Sequence, residues 1–544
     1  HLQFGDQIVF SQLIQNLIDH TLHVSLGHFQ AELWLSGTIV ALLLFRLFSF
    51  DRLIPTSILA LAGAVVATFV AWSQLSTTQG SETFFTGMLI HDQFSVYFRL
   101  FLALFLVLTI ALTILSGIPD NEDSPDFYTL LLGATIGMMI MASANNLLMV
   151  FIGVEMASVP SYAMVGFLKG RKSSSEAALK YVIYGAGAAG VMLYGISLIA
   201  GMLGTGDMGQ LADRLRIVAD GRIAGLGDPE VRLVALGIML VMVGLAFKLS
   251  LVPFHFWCPD AFEGASAEVG GFLSVASKAG AFALLVRFCV AFSGDPSGAQ
   301  LMTAFGIGLG VVAMITMTFG NLAAFAQSNV KRLLAYSTIA HAGYMLMAVS
   351  AMLVMQNSDQ AGTLVHEINA CVGGLLYYLA VYLFMNLGAF AVVALIRNYT
   401  FSEEIDSYAG LIRQSPALCI CMMFCMFSLV GMPPFGGFFA KLMIFGSVYK
   451  AGDLHWSMYL LLSVGVLNTV FSLVYYIRVL KTMIIDERPA DARPVRLPAL
   501  EGVYVGLLGA FVLILGCAPF IPDGLNIIAG EAADSIFSAL LTSR

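Results

Sequence analysis

The chain has 544 residues, 59% of them hydrophobic and 11% charged, with a formal net charge of −8. No water-soluble globule carries that balance, so the composition specifies a polytopic membrane protein. The negative charge resides in loops and argues against nucleic-acid binding.

In chain order, residues 1–30 come first. They lack an initiator Met, which suggests that residues preceded His1, and they scatter Asp6, Asp19, His20, His23 and His28 among apolar residues. That pattern fits neither a signal peptide nor a spanning helix. It suits an amphipathic helix at the membrane interface over 7–24. Fourteen apolar runs follow, at about 31–49, 53–75, 94–116, 127–143, 146–168, 179–203, 232–254, 268–292, 301–320, 333–354, 370–396, 415–449, 457–484 and 501–521. Each can cross a hydrocarbon core of about 30 Å at about 1.5 Å per residue. The fold class is therefore all-α, with about fourteen transmembrane helices. The short turns between runs leave no room for a soluble domain, and the strand alternation of a β-barrel is missing.

Lys and Arg collect in alternate loops, among them Arg46, Arg52, Lys169, Arg171, Lys172, Lys331, Arg332 and Arg397. By the positive-inside tendency these loops are cytoplasmic, and both termini lie outside. Lysines near span ends, such as Lys169, Lys172, Lys331 and Lys450, together with Arg332, are read as snorkelling to the headgroups. Lys180 begins the sixth span, where snorkelling and function both fit.

Glu155, Lys248, Lys278 and Lys441 sit deep inside apolar runs. A charge at that depth costs about 2.5–3.5 kcal/mol on insertion scales, so such groups face a polar interior and serve a function there. Lys278 lies roughly 21 Å along its helix from Phe292, too deep to snorkel easily. Glu155 and Lys248 are expected to neutralise each other, either as a structural pair or as a functional one. The surplus lysines favour proton handling, because a desolvated lysine exchanges its proton far more readily than an exposed one. Pro253 interrupts the seventh run five residues after Lys248, and Pro433 and Pro434 interrupt the twelfth, seven residues or so before Lys441. Proline inside a span frees backbone carbonyls, which only protein or water can satisfy. LSLVPF in the seventh run echoes FSLVGMPPF in the twelfth. Five spans separate the two, as an inverted repeat of five helices requires.

His255 and His341 are candidate proton relays, or neutral histidines hydrogen-bonded in the bundle. His91, His366 and His455 fall in loops and carry no signal. Cys258, Cys289, Cys371, Cys419, Cys421, Cys425 and Cys517 show neither metal-ligand nor secreted-disulfide spacing and are read as structural. The sequence contains no phosphate loop, iron–sulfur cysteine set or dinucleotide fingerprint, so no cofactor or metal is expected in this chain.

The segments FIGVEMASVPSYAMVGF, AFKLSLVPFHFWCPDAFEGA, FLSVASKAGAFALLVR, SNVKRLLAYSTIAHAGYML and SLVGMPPFGGFFAK, spread over about 127–485, carry a family resemblance. The chain resembles the antiporter-like membrane subunits of proton-pumping NADH:quinone oxidoreductase, respiratory complex I, and among them the subunit N branch. The resemblance implies an extension over 1–30, helices 1–3 over 31–126, inverted five-helix repeats over 127–292 and 301–485 with helices 7 and 12 broken, and helix 14 with a tail over 486–544. It implies proton transfer by Glu155 as modulator, Lys248 as switch, Lys278 as relay and Lys441 as exit, with Lys180, His255 and His341 in less defined roles. It also implies a bacterial cytoplasmic membrane, lipid contacts, and membrane-arm and peripheral-arm partner subunits that hold NADH, FMN, iron–sulfur clusters and quinone. The alternatives are a subunit of a multi-subunit sodium/proton antiporter and a non-conducting scaffold. One departure stands out: where many relatives carry prolines after E-G-A, this chain has Ser266-Ala267-Glu268. Glu268 is read as the mouth of an inner proton path or as a solvated loop-end carboxylate.

Overall fold

The computed structural model describes residues 15–50, 54–119, 123–219, 227–293, 295–489, 494–495, 497–517 and 527–537. Among these, thirteen helices are long and apolar enough to cross a membrane, or up to fourteen if the bent pair Ile405–Arg413 and Pro416–Val430 counts as one span. The first six are α1 (Gln30–Leu47), α2 (Thr56–Thr77), α3 (Gln93–Ser116), α4 (Ser124–Ser143), α5 (Leu147–Val165) and α6 (Lys172–Leu203). Next come α7 (Pro229–Leu249), the short α8 (Trp257–Gly264) and α9 (Ala267–Ala291), whose turn Leu273–Ser277 is π-helical. The second half holds α10 (Ala299–Ala324), α11 (Val330–Gln356), α12 (Val365–Thr400), the half-length α13 (Pro416–Val430) and α14 (Gly436–Gly452), α15 (Ser457–Ile484) and α16 (Ala499–Cys517).

Local chemistry sets the helix ends. Asp92 and Ser95 form a reciprocal capping box at the start of α3, which stops at Gly117 in the left-handed region. Asn146 caps α5. A small antiparallel hairpin, β1 (Glu82–Phe84) with β2 (Leu89–His91), lies between α2 and α3 in register Glu82 to His91; the apolar-run reading expected helices and turns alone. Of the interfacial helix expected over 7–24, residues 7–14 lie outside the described residues. Residues 15–28 are helical, and Leu17, Ile18 and Leu22 are exposed.

The spanning parts of α9 and α11 are buried along their whole length, and α12 nearly so. They form the axis of the bundle. By contrast α1, α2, α6 and α15 turn most of their apolar surface outward, as lipid-facing helices do. The deep lysines therefore gather around the axis.

Candidate functional site

The two helix breaks build the site. In an unbroken helix the carbonyl of Leu249 would accept from the N–H of residue 253, but that residue is proline and has none. The same arithmetic orphans the carbonyls of Leu429 and Val430, opposite Pro433 and Pro434. A lysine fills each position. Lys278 on α9 donates to Leu249 O at 2.7 Å, and Lys441 on α14 donates to Leu429 O at 3.0 Å and Val430 O at 2.9 Å. The negative ends of the two interrupted helices thus each receive an amine, where the helix dipole favours positive charge. Lys441 also lies 4.4 Å from the centre of the Tyr344 ring.

Close backbone approach makes the second break possible. Gly431 closes α13 at φ +86°, and a Cβ on Gly437 would lie 1.9 Å from Ser428 O. The Gly437 N–H donates to Ser428 Oγ at 3.0 Å.

Lys248 lies in the last turn of α7, fully buried, and donates to Ser158 Oγ on α5 at 3.0 Å. Glu155 is one turn earlier on α5 and only half-buried. The direct pair expected from the sequence is not formed, because Ser158 occupies the inward face of α5 while Glu155 sits at its edge. The two charges still feel each other electrostatically. Lys278 is held by the carbonyl of the residue that follows Lys248. Among the described residues no carboxylate forms an ion pair with Lys248, Lys278 or Lys441.

Between the first lysines and Lys441 lies a buried hydroxyl cluster. His341 Nδ1 meets Tyr378 OH at 2.7 Å and its Nε2 meets Tyr476 OH at 3.3 Å, while Tyr382 OH donates to Thr338 Oγ1 at 3.2 Å. His255 is buried against the rings of Phe256 and Phe319. Lys180 is placed differently. It is 41% exposed and bridges Glu176 and Asp260, both at 2.8 Å.

Two further readings are corrected. Lys331 does not snorkel: it is 1% exposed, donating to Ala265 O at 2.6 Å and pairing with Glu403 at 2.9 Å. Arg332 is tied down by Asp260 at 2.8 Å and Glu263 at 2.6 Å instead of reaching for headgroups. Glu268 is no solvated loop-end group, since it is 1% exposed.

A second buried charge network went unread in the sequence. Arg99 pairs with Glu32 at 2.6 Å, both fully buried, and also reaches His91 Nδ1 at 3.0 Å. Arg287 pairs with Asp92 at 2.6 Å. Burial opposes charge on Asp92, but the Arg287 guanidinium and Ser95 hold its carboxyl below the usual range. Burial, with Arg99 and His28 adding to it against the weaker pull of Asp92, pushes the His91 imidazole down to about 3. Each of these residues lies within two turns of a span end, where an isolated helix would leave it wet. The available signal was four opposite charges at one level of the membrane.

Among the described residues no group of three His, Cys, Asp or Glu side chains is placed to hold a metal ion. Cys258, Cys289, Cys371, Cys419, Cys421 and Cys425 are buried free thiols.

Residues 144–472 match the family described as NADH:quinone oxidoreductase/Mrp antiporter, TM. The chain is 38% identical over 517 residues to NADH-quinone oxidoreductase subunit N of Anaeromyxobacter sp., covering 92% of this chain and 95% of that one. It is also 38% identical over 468 residues to NAD(P)H-quinone oxidoreductase subunit 2 of Synechococcus sp., covering 83% and 81%. A chain of respiratory complex I from Thermus thermophilus superposes with TM-score 0.70 at 30% identity, covering 90% of this chain and 98% of that one. The Mrp complex from Dietzia sp. gives TM-score 0.79 at 19% identity over 96% and 100%, a likeness of fold alone.

Proposed function

Because the chain belongs to the NADH:quinone oxidoreductase/Mrp antiporter transmembrane family, we propose that it is a proton-translocating membrane-arm subunit of an NADH:quinone oxidoreductase. The observation that carries this reading is the placement of the lysines. Lys248, Lys278 and Lys441 are all buried, held by a hydroxyl or by proline-orphaned carbonyls, with no ion-paired carboxylate among the described residues. A structural lysine would be neutralised by a partner. An amine held only by neutral acceptors can lose and regain its proton without breaking an ion pair.

In this reading Glu155 biases Lys248 from the lateral edge of α5. When the carboxylate is near, the ammonium is favoured; when a neighbouring subunit draws it away, the proton leaves toward Lys278. The hydroxyl cluster around His341 leads on to Lys441, the exit. Lys180 acts at the rim and not on the axis. The energy comes from redox chemistry in partner subunits, which hold NADH, FMN, iron–sulfur clusters and quinone; this subunit moves protons only. The chain sits in a bacterial cytoplasmic membrane with both termini outside, the loops bearing Arg171 and Lys331 inside, and two inverted five-helix units spanning 127–292 and 301–485. The names of the sequence relatives support this assembly over a sodium/proton antiporter.

The test replaces Lys248 with Met in the assembled complex, reconstituted in vesicles, and compares protons moved per quinone reduced. A lowered ratio at unchanged assembly supports the proposal, whereas an unchanged ratio leaves only a scaffold role.

A further inference from the structure

Glu268 is a buried carboxylate that the lysine pathway just described does not use, and unlike Glu32 and Asp92 it has no ion-paired guanidinium among the described residues. It occupies the first turn of α9, is 1% exposed, and neither carboxylate oxygen has a hydrogen-bond partner among the described residues. Its helix start is capped by another residue, Ser266, whose hydroxyl accepts from the Val269 N–H at 3.4 Å. Capping therefore does not explain Glu268. The charged groups facing it belong to the cluster at the mouth of α11: Lys331, which senses the charge of Glu268, with Glu403 and Arg397 behind it. Lys331 directs its own hydrogen bonds to Ala265 O and Glu403, so it neutralises Glu268 only through space.

A carboxylate buried without hydrogen bonds is expensive unless it takes up a proton or meets water. The helix beyond Glu268 offers somewhere for that proton to go. Ser274 Oγ receives a hydrogen bond from Asn386 Nδ2 on α12, while Asn386 Oδ1 and Ser277 Oγ are buried with no partner among the described residues. These groups lie in or against the π-helical turn Leu273–Ser277, and the next residue is Lys278. From Glu268 to Ser274 is about 9 Å along the helix, and to Lys278 about 15 Å. The unfilled hydrogen-bonding positions on Asn386 and Ser277 suit water that completes the steps.

We propose that Glu268 is a proton-loading residue, filled from the face that carries Lys331, Glu403 and Arg397, and that it supplies Lys278 past Ser274, Asn386 and Ser277. The step is a proton transfer alone: the protonated Glu268 carboxyl becomes a carboxylate, and the neutral Lys278 amine becomes an ammonium. After discharge the carboxylate faces Lys331, and a proton from the aqueous side resets it. This inference rests on the reading of Lys278 as a relay and adds an entry point to it.

The experiment uses the whole complex in vesicles, with Glu268→Gln, Glu268→Asp, Lys278→Met and the double variant Glu268→Gln/Lys278→Met. Protons moved per quinone reduced are measured alongside redox-triggered infrared difference spectra. The expected result is that E268Q lowers the ratio as far as K278M does, that the double variant loses no more than either single, and that E268D recovers part of the loss. A carbonyl stretch of a protonated carboxyl, sensitive to deuterium exchange, disappears from the difference spectrum of E268Q. A merely structural counter-charge to Lys331 would leave no such band to lose. If K278M lowers the ratio while E268Q pumps normally and keeps the band, the entry role is overturned and the lysine pathway stands. If K278M also pumps normally, the pathway itself falls. Should E268Q fail to assemble, Ser277→Ala provides the measurement: slowed pumping supports the route, and unchanged pumping overturns it.

Discussion

Replacing Lys441 by Met removes one amine from two carbonyls and one ring. A hydrogen bond to a charged group contributes about 1.5–3 kcal/mol, so the bonds to Leu429 O and Val430 O account for roughly 3–6 kcal/mol of local stability at the break. The Tyr344 contact adds about 2 kcal/mol when desolvated. Even the lower figure corresponds to about a hundredfold in a local opening equilibrium. The amides that report it are those of Gly431 and Met432, each bonded to Phe427 O at 3.0 Å. Hydrogen exchange on the reconstituted complex should therefore show these two amides exchanging at least tenfold faster in K441M, and pumping should fall. The companion variant Lys441→Arg separates the two roles. Arginine keeps a charge and donors for the carbonyls but does not give up its proton. It should preserve most of the protection at Gly431 and Met432 while still abolishing transfer. Normal pumping in K441R would refute the exit role, and unchanged exchange in K441M would refute the claim that this lysine holds the break.

Two further outcomes follow from other parts of the structure. Gly437→Ala places a methyl group 1.9 Å from Ser428 O, so the break must spread at a cost of about 1–3 kcal/mol or more; the variant complex should lose thermal stability, while Gly446→Ala, with nothing within 4 Å, should not. His91 is pushed from its ordinary value near 6.5 down to about 3. Above about pH 6.5 the ring is neutral in both folded and unfolded chains and its burial stabilises the hairpin fully. As pH falls from about 6.5 toward 3 the unfolded chain gains a proton that the folded one does not, so stability declines. Amides of β1 and β2 should lose exchange protection between pH 7 and pH 5 after correction for intrinsic rates, and His91→Asn should flatten that dependence.

The spans were legible in the sequence because run length, proline and glycine are local signals: α15, Ser457–Ile484, coincides with the thirteenth run at 457–484. The deep lysines were legible for the same reason, as charges far from any span end. What could not be read were partners remote in sequence. Lys331 looks like a snorkelling lysine until the Ala265 carbonyl and Glu403, 66 and 72 residues away, fold over it. Arg99 and Glu32 look wet until the fold brings the two side chains together in a buried pair. Glu155 and Lys248 looked paired because proximity in depth is visible in sequence, whereas the rotation of α5 that puts Ser158 inward is not. The lysine-to-carbonyl bonds were open to counting, four residues back from each proline, but which lysine would arrive there depended on the fold.

Those bonds tie the protonation state of each amine to the geometry of a helix break. An ammonium brings three donors and a full charge to the carbonyls, and the neutral amine brings two donors and none. In the proposed transfer role, a departing proton would therefore loosen a joint in an interrupted helix, and an arriving one would tighten it. In that reading the prolines that seem to weaken the helices are what free the acceptors through which the carried charge and the break are coupled.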